Sequence, residues 1–280
     1  MQQKRGEMTK KVQISKKGQV TLFVLLGIFL MIITGILIFF FSQKLPQQEA
    51  TPLQTEAVTQ LVEKCITKTA EEAILATGKR GGYFILPEQR TIDLREDVPY
   101  YKVDEQEFFP SVEERAEEIG KYIDTLLDFC LDFSIFEKQG YNVTVKPPQT
   151  KVILLEKDGG QENGKKEGGR ESQLEIRTKL PLSFKKRLQT KKMESFRIKI
   201  PAEQLQEDFA VAQEIVKTQE QGAICLTCFS NLAEDNAVFV EVLPYYDNVY
   251  VYEITDKDYV LQNEKYVLRF AVKYGTENSR

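Results

Sequence analysis

The chain has 280 residues, with 38 Lys and Arg against 42 Asp and Glu, four cysteines, no tryptophan and no histidine, for a net charge of −4. The lack of histidine excludes Ser-His-Asp and Cys-His catalysis, His-ligated zinc and imidazole pH switching. A chain of this length can bury a substantial core in one large domain or two small ones.

Residues 1–18 are a basic tail: Lys4, Arg5, Lys10, Lys11, Lys16 and Lys17 stand against Glu7 alone, a local charge of +5. The run Val20–Phe41 that follows carries no charge, and its polar residues are Thr21 and Thr34. As a helix it rises roughly 33 Å at ~1.5 Å per residue, enough for a hydrocarbon core of ~30 Å. The pattern predicts a transmembrane helix over 19–42, in contact with the lipid bilayer through residues 20–41. It exceeds the roughly 7–15 residues of a secretory h-region, and Ser42-Gln43-Lys44-Leu45-Pro46 holds no small-x-small cleavage site, so the segment is expected to stay attached. Basic flanks remain cytoplasmic. The expectation is a single-pass protein whose chain beyond a linker at 43–51 lies outside the cytoplasm. Since the tail is +5 and the whole chain −4, the part after Gly18 carries −9, a sign that disfavours nucleic acid and anionic lipid.

Lys16-Lys17-Gly18-Gln19, placed directly before the apolar run, resembles the archaeal class III signal peptide of type IV pilin-like proteins. The resemblance covers residues 16–41 and implies cleavage between Gly18 and Gln19, with the hydrophobic helix retained in a subunit capable of self-association. The fifth residue of the processed chain is Phe23, where pilins usually place a glutamate; an apolar Phe cannot neutralise a neighbouring subunit's amino terminus. That departure favours a plain uncleaved signal anchor, with the processed pilin-like form as the alternative. An anchor followed by a cysteine-bearing helix also resembles archaeal surface proteins, which implies a location and no activity.

Residues 52–140 read as mostly helical. Thr51-Pro52-Leu53-Gln54 has a capping-box pattern with Pro at the first helical position, and Gly78 suits a C-terminal stop, predicting a helix over about 52–77. Ser111 followed by Glu114 repeats the cap, and Gly140 is expected to close that second helix. Between them Gly81–Pro87 reads as a turn and a short buried strand, followed by an irregular acidic and aromatic loop. Val58, Leu61, Val62, Cys65, Thr69 and Ala73 share one face of the first helix. Val112, Ala116, Ile119, Ile123, Leu126, Cys130 and Phe133 recur at steps of three and four in the second. Each apolar face thus carries one thiol, and in an oxidising compartment Cys65 and Cys130 are expected to form a disulfide, two unpaired buried cysteines being the alternative.

From 141 to 280 the period becomes alternating. Asn142–Val145, Lys151–Leu155, Leu174–Thr178 and Phe196–Ile200 are strand candidates, and the glycine-rich polar stretch near 158–173 is a flexible loop without the spacing of a phosphate cradle. Pro201 opens an expected helix near 202–220 with the stripe Leu205, Phe209, Ala212 and Val216. Val238–Val242, Asn248–Ile254 and Tyr266–Tyr274 form an antiparallel meander whose tyrosines are assigned to sheet packing.

Two further features invite chemistry. Cys225-Leu226-Thr227-Cys228 reads as a local disulfide in a surface loop; the alternatives are a redox pair, a four-thiolate zinc site completed by Cys65 and Cys130, and the other pairings that four cysteines allow. Asn142-Val143-Thr144 is an N-x-[ST] sequon able to carry a glycan. No catalytic, cofactor-binding or metal-ligating residue is assigned. The sequence therefore reads as α+β: an N-terminal transmembrane helix, then an extracytoplasmic domain of two packed helices and an antiparallel sheet. The function expected is a non-catalytic, membrane-anchored cell-surface structural or interaction protein, pilin-like in its leader, with self-association or a surface-protein partner. An anchored thiol-disulfide oxidoreductase using Cys225 and Cys228 is the alternative.

Overall fold

The computed structural model describes residues 16–42, 54–88, 91–92, 97–156, 172–218, 226–246 and 248–275. The chain divides into two compact units, Met1–Leu53 and Gln54–Arg280. The first contains helix α1 (Lys16–Ser42). Its described residues, 23–37 and 39, are all exposed, the large apolar side chains from Ile33 at 37% to Met31 at 77%. The expected transmembrane helix is corrected here: among the described residues no helix is long and apolar enough to cross a membrane. Within this unit Thr34 returns its hydroxyl to the Leu30 carbonyl at 2.8 Å, so the lone polar group of the described run is satisfied inside the helix.

The second unit is α+β, with five helices and two sheets among its described residues. Helix α2 (Thr55–Lys79) buries Val58, Val62, Cys65, Ile66, Thr69, Ala70, and continues through Ala73, Ile74 and Thr77. It starts after Gln54, which makes no side-chain cap; the Thr51–Leu53 part of the expected box lies outside the described residues. It also runs past Gly78, which was expected to stop it. A Cβ on Gly78 would stand 2.5 Å from Tyr266 Cε2 and 2.7 Å from the Val267 carbonyl oxygen, so this glycine serves a close helix–strand approach. The chain turns at Gly81 and Gly82, with φ of 60° and 87°.

Helix α3 (Val112–Cys130) begins with the expected capping box, Ser111 Oγ accepting from Glu114 N and Glu114 Oε2 accepting from Ser111 N. It does not reach Gly140. Leu131 is extended, Ser134 N donates to Asp132 Oδ1 at 2.9 Å, and a five-residue helix α4 (Ser134–Lys138) resumes before Gly140 takes a left-handed turn. The break turns Phe133 and Phe136 onto Phe184, both edge-on.

The six-stranded sheet has the order β1-β2-β10-β9-β8, with β3 paired to β2. It comprises β1 (Thr91–Ile92), β2 (Val98–Val103), β3 (Gln106–Glu107), β8 (Val238–Tyr246), β9 (Val249–Leu261) and β10 (Glu264–Lys273). The meander is as expected, with left-handed Asn248 and a Gln262-Asn263 turn at φ 49° and 68°. Two local expectations fail. Gly81–Pro87 forms no strand, because the Phe84 and Ile85 amides donate to the Glu118 carboxylate instead of a neighbouring strand. The supposed irregular loop holds β2, which pairs in parallel with β10. Tyr101 of β2 is fully buried, stacked on Phe270 at 4.5 Å and donating its hydroxyl to the Gly81 carbonyl.

The four-stranded sheet is built on β6 (Ser172–Lys186), flanked by β4 (Asn142–Val145), β5 (Gln149–Glu156) and β7 (Gln189–Pro201). All its pairings are antiparallel, and the β6–β7 hairpin turns at Arg187 and Leu188. Pro201 ends β7 instead of opening the helix, and α5 covers Glu203–Thr218. A helix α6 (Leu226–Asp235), not foreseen, precedes β8. Helix α2 packs on β10 of one sheet and against β7 of the other, α3 packs on β5, and α5 on β9 and β10. The helices therefore form a layer between the two sheets, which is where the core lies. Of the expected glycine-rich loop near 158–173, residues 158–171 lie outside the described residues, and Ser172 and Gln173 belong to β6 instead.

Candidate functional site

The cysteine on the buried stripe of α2 and the one at the end of α3 meet as anticipated: Cys65 and Cys130 form a disulfide with a Cα–Cα distance of 5.6 Å. Cys65 is buried and Cys130 partly so. With their sulfurs bonded to each other, neither supplies a thiolate to a four-cysteine zinc site. Cys228 is also disulfide-bonded and sits in the first turn of α6 rather than in a loop; Cys225 lies outside the described residues. Asn142 opens β4 with its side chain exposed, on the strand's pairing to β6 opposite Lys185. Gly18 and Gln19 fall within α1, far in sequence from these positions, and their surroundings lie outside the described residues. The structure thus joins Cys65 to Cys130 and leaves Asn142 and Cys228 at separate places.

Sequence reasoning passed over the acids of the helical layer. Glu118 of α3 is buried, and its carboxylate accepts from Phe84 N at 2.9 Å, Ile85 N at 2.8 Å and Lys121 Nζ at 2.8 Å. This is a structural carboxylate that terminates the backbone of the turn following α2. Asp208 of α5 is different. It is fully buried, neither oxygen has a hydrogen-bond partner, and burial first, then the nearby Asp256 and Glu207 charges, push its carboxyl up to about 8. Asp256 itself is satisfied by the amides of Asp258 and Tyr259. Burial, with the Asp208 charge adding to it, also holds the fully buried Tyr266 hydroxyl far above its usual range. The legible signal for Asp208 was its spacing: three after Leu205 and four before Ala212, it falls on the apolar stripe of α5.

A small cavity of about 40 Å³ lies where α2, α3 and α5 meet, lined by Ile74, Ala116, Ile119, Phe209 and Tyr266, with the Arg115 guanidinium 3.6 Å over the Phe209 ring. Gly82 is required beside it: its φ is 87°, and a Cβ there would lie 2.9 Å from Arg115 Cγ. Its lining is almost wholly apolar, so the space offers few partners to water, and Asp208 does not line it. Among the described residues no group of three or more His, Cys, Asp or Glu could hold a metal ion. The Glu118 carboxylate of this layer thus fixes the turn after α2, while Asp208 is left without a partner. No protein-family model, curated protein or solved structure matches this chain.

Proposed function

We propose that the protein is a non-catalytic, membrane-anchored cell-surface protein whose body, Gln54–Arg280, is a structural or interaction module held outside the cytoplasm. The observation that carries this is α1: every described side chain from Phe23 to Leu37 is exposed around the full circumference of the helix, and nearly all are apolar. A helix apolar on every side is built to be covered by lipid or by other apolar helices. The Cys65–Cys130 disulfide supports an oxidising location for the body. The Lys17-Gly18-Gln19 entry into α1 supports a pilin-like form processed to begin at Gln19.

Alkaline carbonate extraction of native membranes, followed by intact-mass and peptide mapping, tests both levels. The expected result is chain retained in the pellet, with Gln19 as its first residue. Release of the chain into the supernatant overturns anchoring, whereas retention of chains that all begin at Met1 overturns processing alone. The thiol-disulfide oxidoreductase is a second reading, favoured by the placement of Cys228 in the first turn of α6, where a helix N-terminus lowers a thiol pKa. A redox titration separates it: equilibration of this disulfide near about −200 mV, in the range of dithiol oxidoreductases, favours the enzyme.

A further inference from the structure

The mean charge of the body conceals its distribution. Residues 172–201, the β6–β7 hairpin, hold nine Lys and Arg against Glu175 and Glu194, a local charge of +7 inside a chain that is −9 after Gly18. The strand register lines them up. Lys151 of β5, Arg177 of β6 and Arg197 of β7 lie in one cross-strand row on the outward face, with Lys179 in the row beside it. These four line a groove of about 660 Å³. Like charges directly opposite one another destabilise a sheet. Glu175 offsets only part of this, accepting from Arg177 Nη2 at 2.6 Å and from Arg197 Nε at 3.0 Å while both guanidiniums stay about half exposed or more.

The cations continue to the tip, where Lys185, Lys186, Arg187, Lys191 and Lys192 flank Leu188 along the hairpin, the Lys186 ammonium lying 4.9 Å over the Tyr141 ring. Leu188 is 101% exposed, so its whole side chain projects from a left-handed turn at Arg187. Basic strands flanking a fully projecting leucine have a specific complement: anionic groups at one level and an apolar layer just beneath them. An acidic polypeptide, polysaccharide or nucleic acid supplies the first and not the second, whereas an anionic lipid surface supplies both.

We propose that the β6–β7 hairpin is a membrane-docking element that seats its cations among anionic lipid headgroups and inserts Leu188 at the acyl boundary. It rests on the anchored reading only for bringing the hairpin near a bilayer. Each Lys or Arg at such a surface changes partition about fivefold, so removing four weakens docking on the order of 500-fold. Docking is screened in molar salt, where the Debye length falls to ~3 Å.

The test uses the full chain reconstituted in phosphatidylcholine vesicles, with or without 30% phosphatidylglycerol. A nitroxide is placed at Gln189→Cys, no described native cysteine being free. Power-saturation EPR compares collision with oxygen, enriched in lipid, against a water-soluble nickel chelate. With phosphatidylglycerol the label is expected to favour oxygen; in phosphatidylcholine alone, in 1 M NaCl, or with Lys185, Lys186, Lys191 and Lys192 all changed to Gln, it favours the chelate. Leu188→Ser is expected to keep the lipid dependence at reduced depth. An unchanged far-UV spectrum and urea midpoint confirm that these variants fold.

A label equally water-exposed in both lipids, an identical profile in the four-Gln variant, or label protection that depends on protein concentration instead of lipid charge overturns the proposal. Flotation keeps the two readings apart. A chain that floats with neutral vesicles while its tip stays in water retains the anchor and loses the docking hairpin. A chain that floats only with phosphatidylglycerol, and not as the four-Gln variant, loses the anchor and retains the hairpin.

Discussion

Replacing Asp208 by Asn removes the one described acid that folding leaves buried with both oxygens unpartnered, at almost constant volume. The folded state holds this proton far more tightly than the unfolded chain, about 8 against an ordinary value near 4. Its contribution to stability is therefore complete below about pH 4 and is lost as pH rises through about 8. Over that window the slope is about 1.4 kcal/mol per pH unit, or roughly 5 kcal/mol in all. That is a large share of the ~5–15 kcal/mol that holds a domain together. Glu175, kept below its usual range chiefly by the Arg177 hydrogen bond, acts in the opposite sense, its contribution being lost as pH falls into the acid range. Urea unfolding of parent and Asp208→Asn in a nonionic detergent, at intervals from pH 4.5 to 9, isolates the difference. Near pH 4.5 the variant is expected to match or fall slightly below the parent, since the amide is also unpartnered. By pH 9 it is expected to be several kcal/mol more stable, and a carbon-13 titration of the parent should show one carboxyl changing near pH 8. Parallel stability curves for the two proteins refute the reasoning.

Three other outcomes follow from packing. Changing Cys65 and Cys130 together to Ala releases a loop whose ends are 65 residues apart; the loss is about 4 kcal/mol by chain entropy, read as a lowered urea midpoint under non-reducing conditions, and a midpoint equal to the parent's refutes it. Gly78→Ala should destabilise by about 1–3 kcal/mol despite a helix-propensity gain of about 1 kcal/mol, because the new Cβ meets the Val267 backbone as well as the Tyr266 ring; a raised thermal midpoint contradicts that contact. Glu118→Ala strands the Phe84 and Ile85 amides and should cost about 2–4 kcal/mol, with Glu118→Gln costing less because one acceptor oxygen survives; equal unfolding midpoints for the two variants argue against those hydrogen bonds.

What the sequence determined by itself was local. The Ser111 and Glu114 cap, the helical stripes that point Cys65 and Cys130 inward, and the alternating strands of the C-terminal meander are set by interactions a few residues apart, so spacing alone exposes them. Where the outcome depended on residues far along the chain, spacing was silent or misleading. Val98–Val103 becomes a strand because β10 pairs with it from about 170 residues away, although its own proline and acidic flanks resemble a loop. Gly78 looks like a helix stop and is in fact a contact surface for Tyr266. The break after Cys130 lets Phe133 and Phe136 reach Phe184, a partner no helical period can reveal. Asp208 sits at an apolar spacing, yet only the elements closing over α5 strip it of water and partners. The same holds for charge. Net charge is a sum over the chain, whereas the row of Lys151, Arg177 and Arg197 exists because antiparallel register sets three strands side by side; electrostatic recognition acts over about a Debye length and responds to that row, not to the sum.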